Sequence, residues 1–219
     1  MEQQKRTTKD FEEYIDMLEK MAAEEGFEGL DETFVKHLER RYFGQEVVIG
    51  ESARISLREM KMSDLEAFYA FEDAFSEPIL GAFLKKTKAE SEAHLQAYME
   101  HMYPLYDYGM WSVVEKETEA IIGICGLGHN DCLEAECTDL GYYICPKWRK
   151  KGIATECIEI VLDYAENYLE LPRVYAMAEE KNTVSQNILC KFGFEFLKKL
   201  ESTDGSIAVY QKELVKDKV

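Results

Sequence analysis

The spacing of apolar residues changes period several times along the chain. Phe11, Tyr14, Ile15, Leu18, Met21 and Ala22 recur with helical spacing, and Gly26 is a plausible stop. Asp31 is placed to cap a second helix carrying Phe34, Val35, Leu38 and Tyr42, ending near Gly44. Residues 1 to about 50 are therefore expected to form a helical extension ahead of a main domain over 51–219. Ile55 and Leu57 then alternate with polar residues as in a strand. Ser63 and Asp64 open an apolar helix through Leu65, Phe68, Tyr69 and Phe71, and a further helix is expected from about Ser91 to Met102. Tyr103 to Gly109 is aromatic, contains Pro104 and Gly109, and reads as a loop.

Two strands follow, Trp111–Glu115 and Ala120–Leu127, joined by the polar turn Lys116 to Glu119. Another strand is expected over Thr138–Cys145. Gly152 to Tyr168 is a strongly patterned helix. Its acidic residues Glu156, Glu159, Asp163 and Glu166 keep helical spacing, which leaves Ile153, Cys157, Ile160, Val161, Tyr164 and Tyr168 to face inward. Beyond Pro172 come a short strand from Arg173, a helix from Asn182 to Phe192 closed by Gly193, and strands over Phe194–Leu200 and Ile207–Leu214. From Ile55 onward the order β-α-α-β-β-β-α-β-α-β-β predicts a mixed α/β fold.

Composition narrows the classes. With 219 residues, 46% hydrophobic and 32% charged, the chain reads as globular. No apolar run is long enough to span a bilayer, and the polar N-terminus is unlike a signal peptide, so a cytoplasmic protein is expected. The six cysteines form no CxxC pair and suggest buried free thiols, not a disulfide framework. A net charge of -17 argues against nucleic acid as a partner. It would attract cationic substrates, or serve only solubility.

Against that acidic background, Lys147, Arg149, Lys150 and Lys151 put four cations into five residues at a strand-to-helix junction. A helix N-terminus offers unpaired N–H groups and the positive end of its dipole, and glycine lets a backbone approach phosphate closely. Gly152 and the small Ala154 bracket one residue there. The pattern matches neither a Walker A loop nor GxGxxG. Read alone, the loop is either an anion site or an ordinary turn with solvated cations.

From about Ile55 to Leu214 the chain resembles the GNAT N-acetyltransferase superfamily. Arg149, Gly152 and Ala154 match its pyrophosphate loop, Arg/Gln-x-x-Gly-x-Gly/Ala. Leu140 to Pro146 looks like the strand that pairs with pantetheine, and Asn182 to Phe194 like the second cofactor helix. Three motifs in the right order are far more specific than one. TDLGYYICPKWRKKGIATE and NTVSQNILCKFGF look closest to the branch that acetylates ribosomal-protein N-termini. The resemblance implies a mixed, mostly antiparallel central sheet flanked by helices, with acetyl-CoA as cosubstrate and a primary amine as acceptor.

It also implies roles. The amides of Lys150, Lys151, Gly152, Ile153, Ala154 and Thr155 would bind pyrophosphate, with charge-assisted contacts from Lys147, Arg149, Lys150 and Lys151. Tyr143, Ile144 and Cys145 would offer backbone groups to pantetheine and the thioester. Asn182 would bond the pantetheine arm, or simply cap its helix. Many family members place Tyr seven residues after this asparagine, whereas the position here is Leu189. Ser185 matches the serine that the ribosomal-protein branch has instead. Asp139 is the first candidate for orienting or deprotonating the amine, with Glu136, Glu134 and His129 as alternatives.

Other readings stay open. His129, Cys132 and Cys137 lack zinc spacing and a fourth ligand, so no metal is expected. Phe71, Phe75, Tyr103, Tyr106, Tyr108 and Trp111 could wall an acceptor pocket for a cation, or belong to the core. Leu189 favours a rival function, a non-catalytic acyl-CoA-binding regulatory module. Oligomeric state is open, with a homodimer the commonest alternative to a monomer.

Overall fold

The computed structural model describes residues 7–24, 26, 29–71, 78–130, 137–202 and 205–214. Cys132, Glu134, Glu136 and Phe75 fall outside them. The chain divides into two compact units, residues 1–47 and 48–219.

The first unit holds α1 (Thr8–Glu24) and α2 (Glu32–Tyr42). Asp31 caps α2 as its sequence position predicts, accepting from the N–H groups of Thr33 and Phe34 at 2.7 and 3.1 Å. Phe11 is buried, with the rings of Tyr42 and Phe43 at 5.2 and 5.9 Å.

The second unit contains β1 (Val48–Glu51), β2 (Ile55–Arg58), α3 (Asp64–Ala70), α4 (Pro78–Gly81) and α5 (Lys88–Tyr106). It continues with β3 (Met110–Glu115), β4 (Ile121–Asn130), β5 (Cys137–Ile144), α6 (Ile153–Asn167), β6 (Arg173–Glu179), α7 (Thr183–Lys191), β7 (Glu195–Ser202) and β8 (Gly205–Glu213). The strands form one mixed sheet in the order β1-β2-β3-β4-β5-β6-β8-β7. Neighbours are antiparallel except for β5 and β6, which the α6 crossover makes parallel. This is the mixed, mostly antiparallel α/β architecture expected.

Four differences from the sequence reading have physical causes. β1 lies inside the segment read as a helical extension; four residues are too few to show a period. The four-residue α4 is likewise too short to read. β4 runs on to Asn130, so His129 sits within the strand rather than after it. The helix α5 passes through Pro104 to Tyr106, where a loop was expected. Pro104 lacks an N–H and gives up one helical bond. Tyr103 holds the turn from inside: its buried hydroxyl donates to the Met110 carbonyl at 2.6 Å and accepts from the Met60 N–H at 3.1 Å. Asp107, at φ 51, then closes the helix through its N–H to the Tyr103 carbonyl.

The sheet separates two cores. On one side α6 and α7 cover Leu57, Val113, Cys125, Leu127, Leu140, Ile144 and Ala176. On the other, Leu65, Phe68, Leu80 and Leu95 cover Met110, Ile124 and Tyr143. A bulge in β4, between the partners of Val113 and Val114, lets Ile122 join the first core although Ile124 joins the second. Trp111 is fully buried with its ring 5.3 Å from Tyr164, so Trp111 and Tyr103 are core rather than pocket wall.

Two charged contacts tie the unit together. Arg58 and Asp64 form a buried bidentate pair at 2.7 and 2.8 Å. Asp64 also accepts from Ser112 at 2.6 Å and from the Lys61 N–H at 2.9 Å, which joins α3 to β2 and β3. At the other end, Glu156 in the first turn of α6 accepts from Ser52 at 2.6 Å and forms an ion pair with Arg54. Burial alone would raise the Glu156 pKa, but hydrogen bonds from Arg54 and Ser52 and the Arg54 charge outweigh it, and the net shift is downward.

Two outcomes are expected. Asp64→Ala strands a buried guanidinium and should cost about 3–5 kcal/mol in denaturant unfolding. A carboxyl with a lowered folded pKa stabilises the fold above the ordinary glutamate range, and that contribution is lost as pH falls through the lowered value. Unfolding measured across the acid range should therefore show a limb of falling stability that Glu156→Gln flattens.

Candidate active site

The parallel pairing of β5 with β6 is brief. It joins Asp139 to Tyr175 and Leu140 to Ala176. Beyond these pairs β5 continues to Ile144 along β4, while β6 continues to Glu179 along β8. The two halves of the sheet therefore part at this point and leave a wedge, with four residues of β5, roughly 13 Å, along one wall.

The register determines which backbone groups line that wall. The Cys145 N–H donates to the Ile122 carbonyl of β4 at 2.9 Å. Alternate residues of an antiparallel strand turn both polar groups the same way. Tyr143 and Cys145 thus address β4, while Tyr142 and Ile144 address the wedge. The Ile144 carbonyl accepts from Arg149 Nε at 2.7 Å. Arg149 also lies 5.3 Å from the Tyr143 ring centroid, so it braces the end of β5.

The chain then reaches α6 through a short 3-10 turn, Pro146–Trp148, and the residues Arg149 to Gly152. Lys150 at φ 60 and Gly152 at φ 84 are both left-handed. For the lysine this conformation costs on the order of 1 kcal/mol. Arg54 holds the turn by donating to the Lys151 carbonyl at 2.9 Å. The Lys151 ammonium lies 4.5 Å from the Trp148 ring centroid, and Lys147, Arg149 and Lys150 are exposed. No side chain caps α6, whereas Asp31, Thr87 and Asn182 cap α2, α5 and α7. The N–H groups of Ile153, Ala154 and Thr155 have no acceptor within the helix, whose first intrahelical bond runs from Glu156 to Gly152. They face outward together with the positive end of the dipole.

The opposite wall carries the start of α7. Asn182 is a helix cap: its side-chain oxygen accepts from the Ser185 N–H at 3.1 Å. Ser185 in turn shares a hydrogen bond of 2.9 Å with the Tyr142 hydroxyl of β5. Burial pushes the Tyr142 phenol up, the Ser185 contact lowers it, and the nearby Cys125 thiol raises it; the net shift is upward. Leu189, one turn after Ser185, is buried in the core.

Strand alternation puts Asp139 on the other face from Tyr142 and Ser185. Asp139 is half-buried, and its carboxylate lies over Gly128, where an added Cβ would sit 2.8 Å from it. Gly141, two residues on, gives room to Ile79 and Met110, and Tyr143 stacks near Phe71 at 5.4 Å. His129 points to the face opposite Asp139, since it pairs with Thr138. Among the described residues no three His, Cys, Asp or Glu side chains gather as a metal site would need. Five described cysteines are free thiols.

Alternation from Leu140 and Ile144, both of apolar type, could have singled out Tyr142 for the α6/α7 side. Nothing in the sequence announced Ser52 and Arg54 as supports of the loop, because they act from a distant turn.

Known proteins share this fold. The uncharacterized N-acetyltransferase p20 of Bacillus licheniformis is 27% identical over 170 residues, 74% of this chain and 93% of that protein. Among solved structures, the ribosomal-protein-S5-alanine acetyltransferase from Vibrio fischeri superposes with a TM-score of 0.59 at 18% identity, over 77% of this chain and 97% of that one. RimL, a ribosomal L7/L12 α-N-protein acetyltransferase in complex with coenzyme A, gives 0.62 at 13% identity, over 76% and 98%. The profile of the acetyltransferase (GNAT) domain family matches residues 54–195, which includes the wedge, the loop and all of α7, and the chain belongs to that family.

Proposed function

We propose that this protein moves an acetyl group from acetyl-CoA to a cationic primary amine by direct attack. The observation that carries the reading is the uncapped, left-handed turn into α6 at the mouth of the wedge. Backbone donors at a helix start suit a pyrophosphate. The amides from Lys150 to Thr155 bind it, and Lys147, Arg149, Lys150 and Lys151 add positive charge. The pantetheine arm runs along β5, pairs with the wedge-facing groups of Tyr142 and with the Ile144 N–H, and meets the side-chain NH2 of Asn182 on the opposite wall; Tyr143 and Cys145, expected to offer backbone groups, are turned to β4 instead.

The thioester then reaches the point where β5 leaves β6. The acceptor comes from the other face of the sheet, where Asp139 orients its ammonium or takes its proton, directly or through water. The amine must lose a proton before attack, since its unperturbed pKa lies near ~8 for an α-amine and ~10 for a lysine-like amine. Its nitrogen bonds to the carbonyl carbon, the oxyanion is held by an amide of β5, and the carbon–sulfur bond breaks. Ser185 hydrogen-bonds the departing sulfur. No covalent enzyme intermediate is needed.

The transferase is assigned to the unit 48–219, which begins with β1, and residues 1–47 are an appendage; a cytoplasmic location would suit its use of acetyl-CoA. The similarity to ribosomal-protein acetyltransferases favours a protein N-terminus as acceptor, and the net charge of -17 also suits a polyamine or basic small molecule. The buried Leu189 favours a second reading, a module that binds acyl-CoA without turning it over.

Calorimetry and thermal melts with acetyl-CoA are the first test: the melting temperature should rise, and absence of binding at millimolar acetyl-CoA would sink the reading. Gly152→Ala should weaken binding about tenfold or more, because a side chain at φ 84 strains the turn. A panel of N-terminal peptides, polyamines and basic small amines assayed for CoA release separates transferase from binding module. With an accepted amine, Asp139→Asn should lower turnover on the order of 10²-fold while acetyl-CoA affinity holds. Rising salt should reduce kcat/KM for that amine, since steering by an acidic surface is screened.

A further inference from the structure

Ser185 alone is an unsuitable acid for a thiolate. A serine hydroxyl gives up its proton only if another group replaces it at once. The Tyr142 hydroxyl is the group in place to do so, 2.9 Å from Ser185 Oγ. It arrives from β5, across the wedge from α7, with its ring packed against the core that contains Leu189 and Cys125. Ser185 is fixed from below by the Asn182 cap. The two hydroxyls thus form a chain with one end at the wedge and the other in the core side of the sheet.

We propose that Tyr142 is the proton source for the departing CoA sulfur and acts through Ser185; this rests on the acetyltransferase reading above. As the carbon–sulfur bond breaks, its electron pair stays on sulfur. The sulfur takes the Ser185 hydroxyl proton, and Ser185 takes the Tyr142 proton. The phenolate is restored by the second proton that the acceptor nitrogen loses, released after it has bonded to the carbonyl carbon and carried by water; the first has gone to Asp139. The balance is one amine and one acetyl thioester to one amide and one thiol. Tyr142 is a positioning residue, because it meets the sulfur only through Ser185. A phenol is protonated at neutral pH, as a donor requires, and burial adds to that preference.

The same chain should stabilise a thiolate when CoA itself is bound, which allows a test that needs no acceptor. CoA is titrated onto the wild type, Tyr142→Phe and Ser185→Ala, and ionisation of the bound thiol is followed by thiolate ultraviolet absorbance against pH. Tyr142→Phe keeps the ring, so CoA affinity and melting temperature should change little. In that variant the bound thiol should ionise at higher pH, with about tenfold less thiolate at a fixed pH, as expected for loss of support to a charge-assisted bond. Ser185→Ala should match or exceed that shift, and the double variant should add little to it. Equal thiol ionisation in wild type and Tyr142→Phe, with CoA bound to both, overturns the relay and leaves the acetyltransferase reading standing. Additive effects in the double variant also overturn it, since they make the hydroxyls independent. If wild type binds no CoA, the cofactor reading fails and the relay with it. Should Tyr142→Phe fail to fold, Ser185→Ala decides alone: unchanged thiol ionisation overturns the chain, and a raised value that persists in Ser185→Ala but is relieved in Ser185→Thr supports it.

Discussion

Beyond Leu140 and Ala176, β5 and β6 belong to different partners. Each strand keeps its antiparallel neighbour, and antiparallel pairing satisfies the backbone on one edge only. The other edge of each is turned to the gap. This divergence is the constraint from which the rest follows. It brings the first turn of α7 opposite β5, gives the loop before α6 a mouth to stand at, and interrupts the ladder of a sheet that separates two packed cores. A sheet paired along its full length would have a stronger ladder and no site.

Holding the gap open falls to contacts outside it. Arg149 braces the end of β5 through the Ile144 carbonyl. Arg54 and Ser52 hold α6 by its first turn, and in doing so they engage Glu156. That carboxylate stands where an anionic ligand would be repelled, and Arg54 offsets its charge. A cation drawn from the β1–β2 turn thus serves the loop as a support and as a counter-charge. The left-handed Lys150 is tolerated because these contacts over-determine the turn.

Much of this was legible in the sequence, for reasons that differ from place to place. The helix α6 was readable because its acidic and apolar residues keep a 3.6-residue period over fifteen positions. The strands of the hairpin β3–β4 were readable because a polar turn separates two apolar runs, and Glu115 indeed folds back on the Glu117 and Thr118 amides. The loop before α6 could be linked to a cofactor only through its neighbours, since any strand-to-helix turn can carry cations. Pairings between distant segments were not readable. The contact of Tyr142 with Ser185 spans 43 positions, and that of Ser52 with Glu156 spans 104. Pro104 misled because a helix-breaking residue was outvoted by a buried tyrosine beside it. Asp139 and Ser185 were chosen as one site, and strand alternation sets them on opposite faces.

That separation bears on the order of events in a turnover. Two ligands that approach a sheet from opposite faces do not obstruct each other, and neither has to leave before the other arrives. Under the proposed direct attack, both are resident together when the bond forms. On that reading the gap between β5 and β6 would be a meeting place for a ternary complex, whose initial-rate pattern is a family of intersecting lines rather than parallel ones.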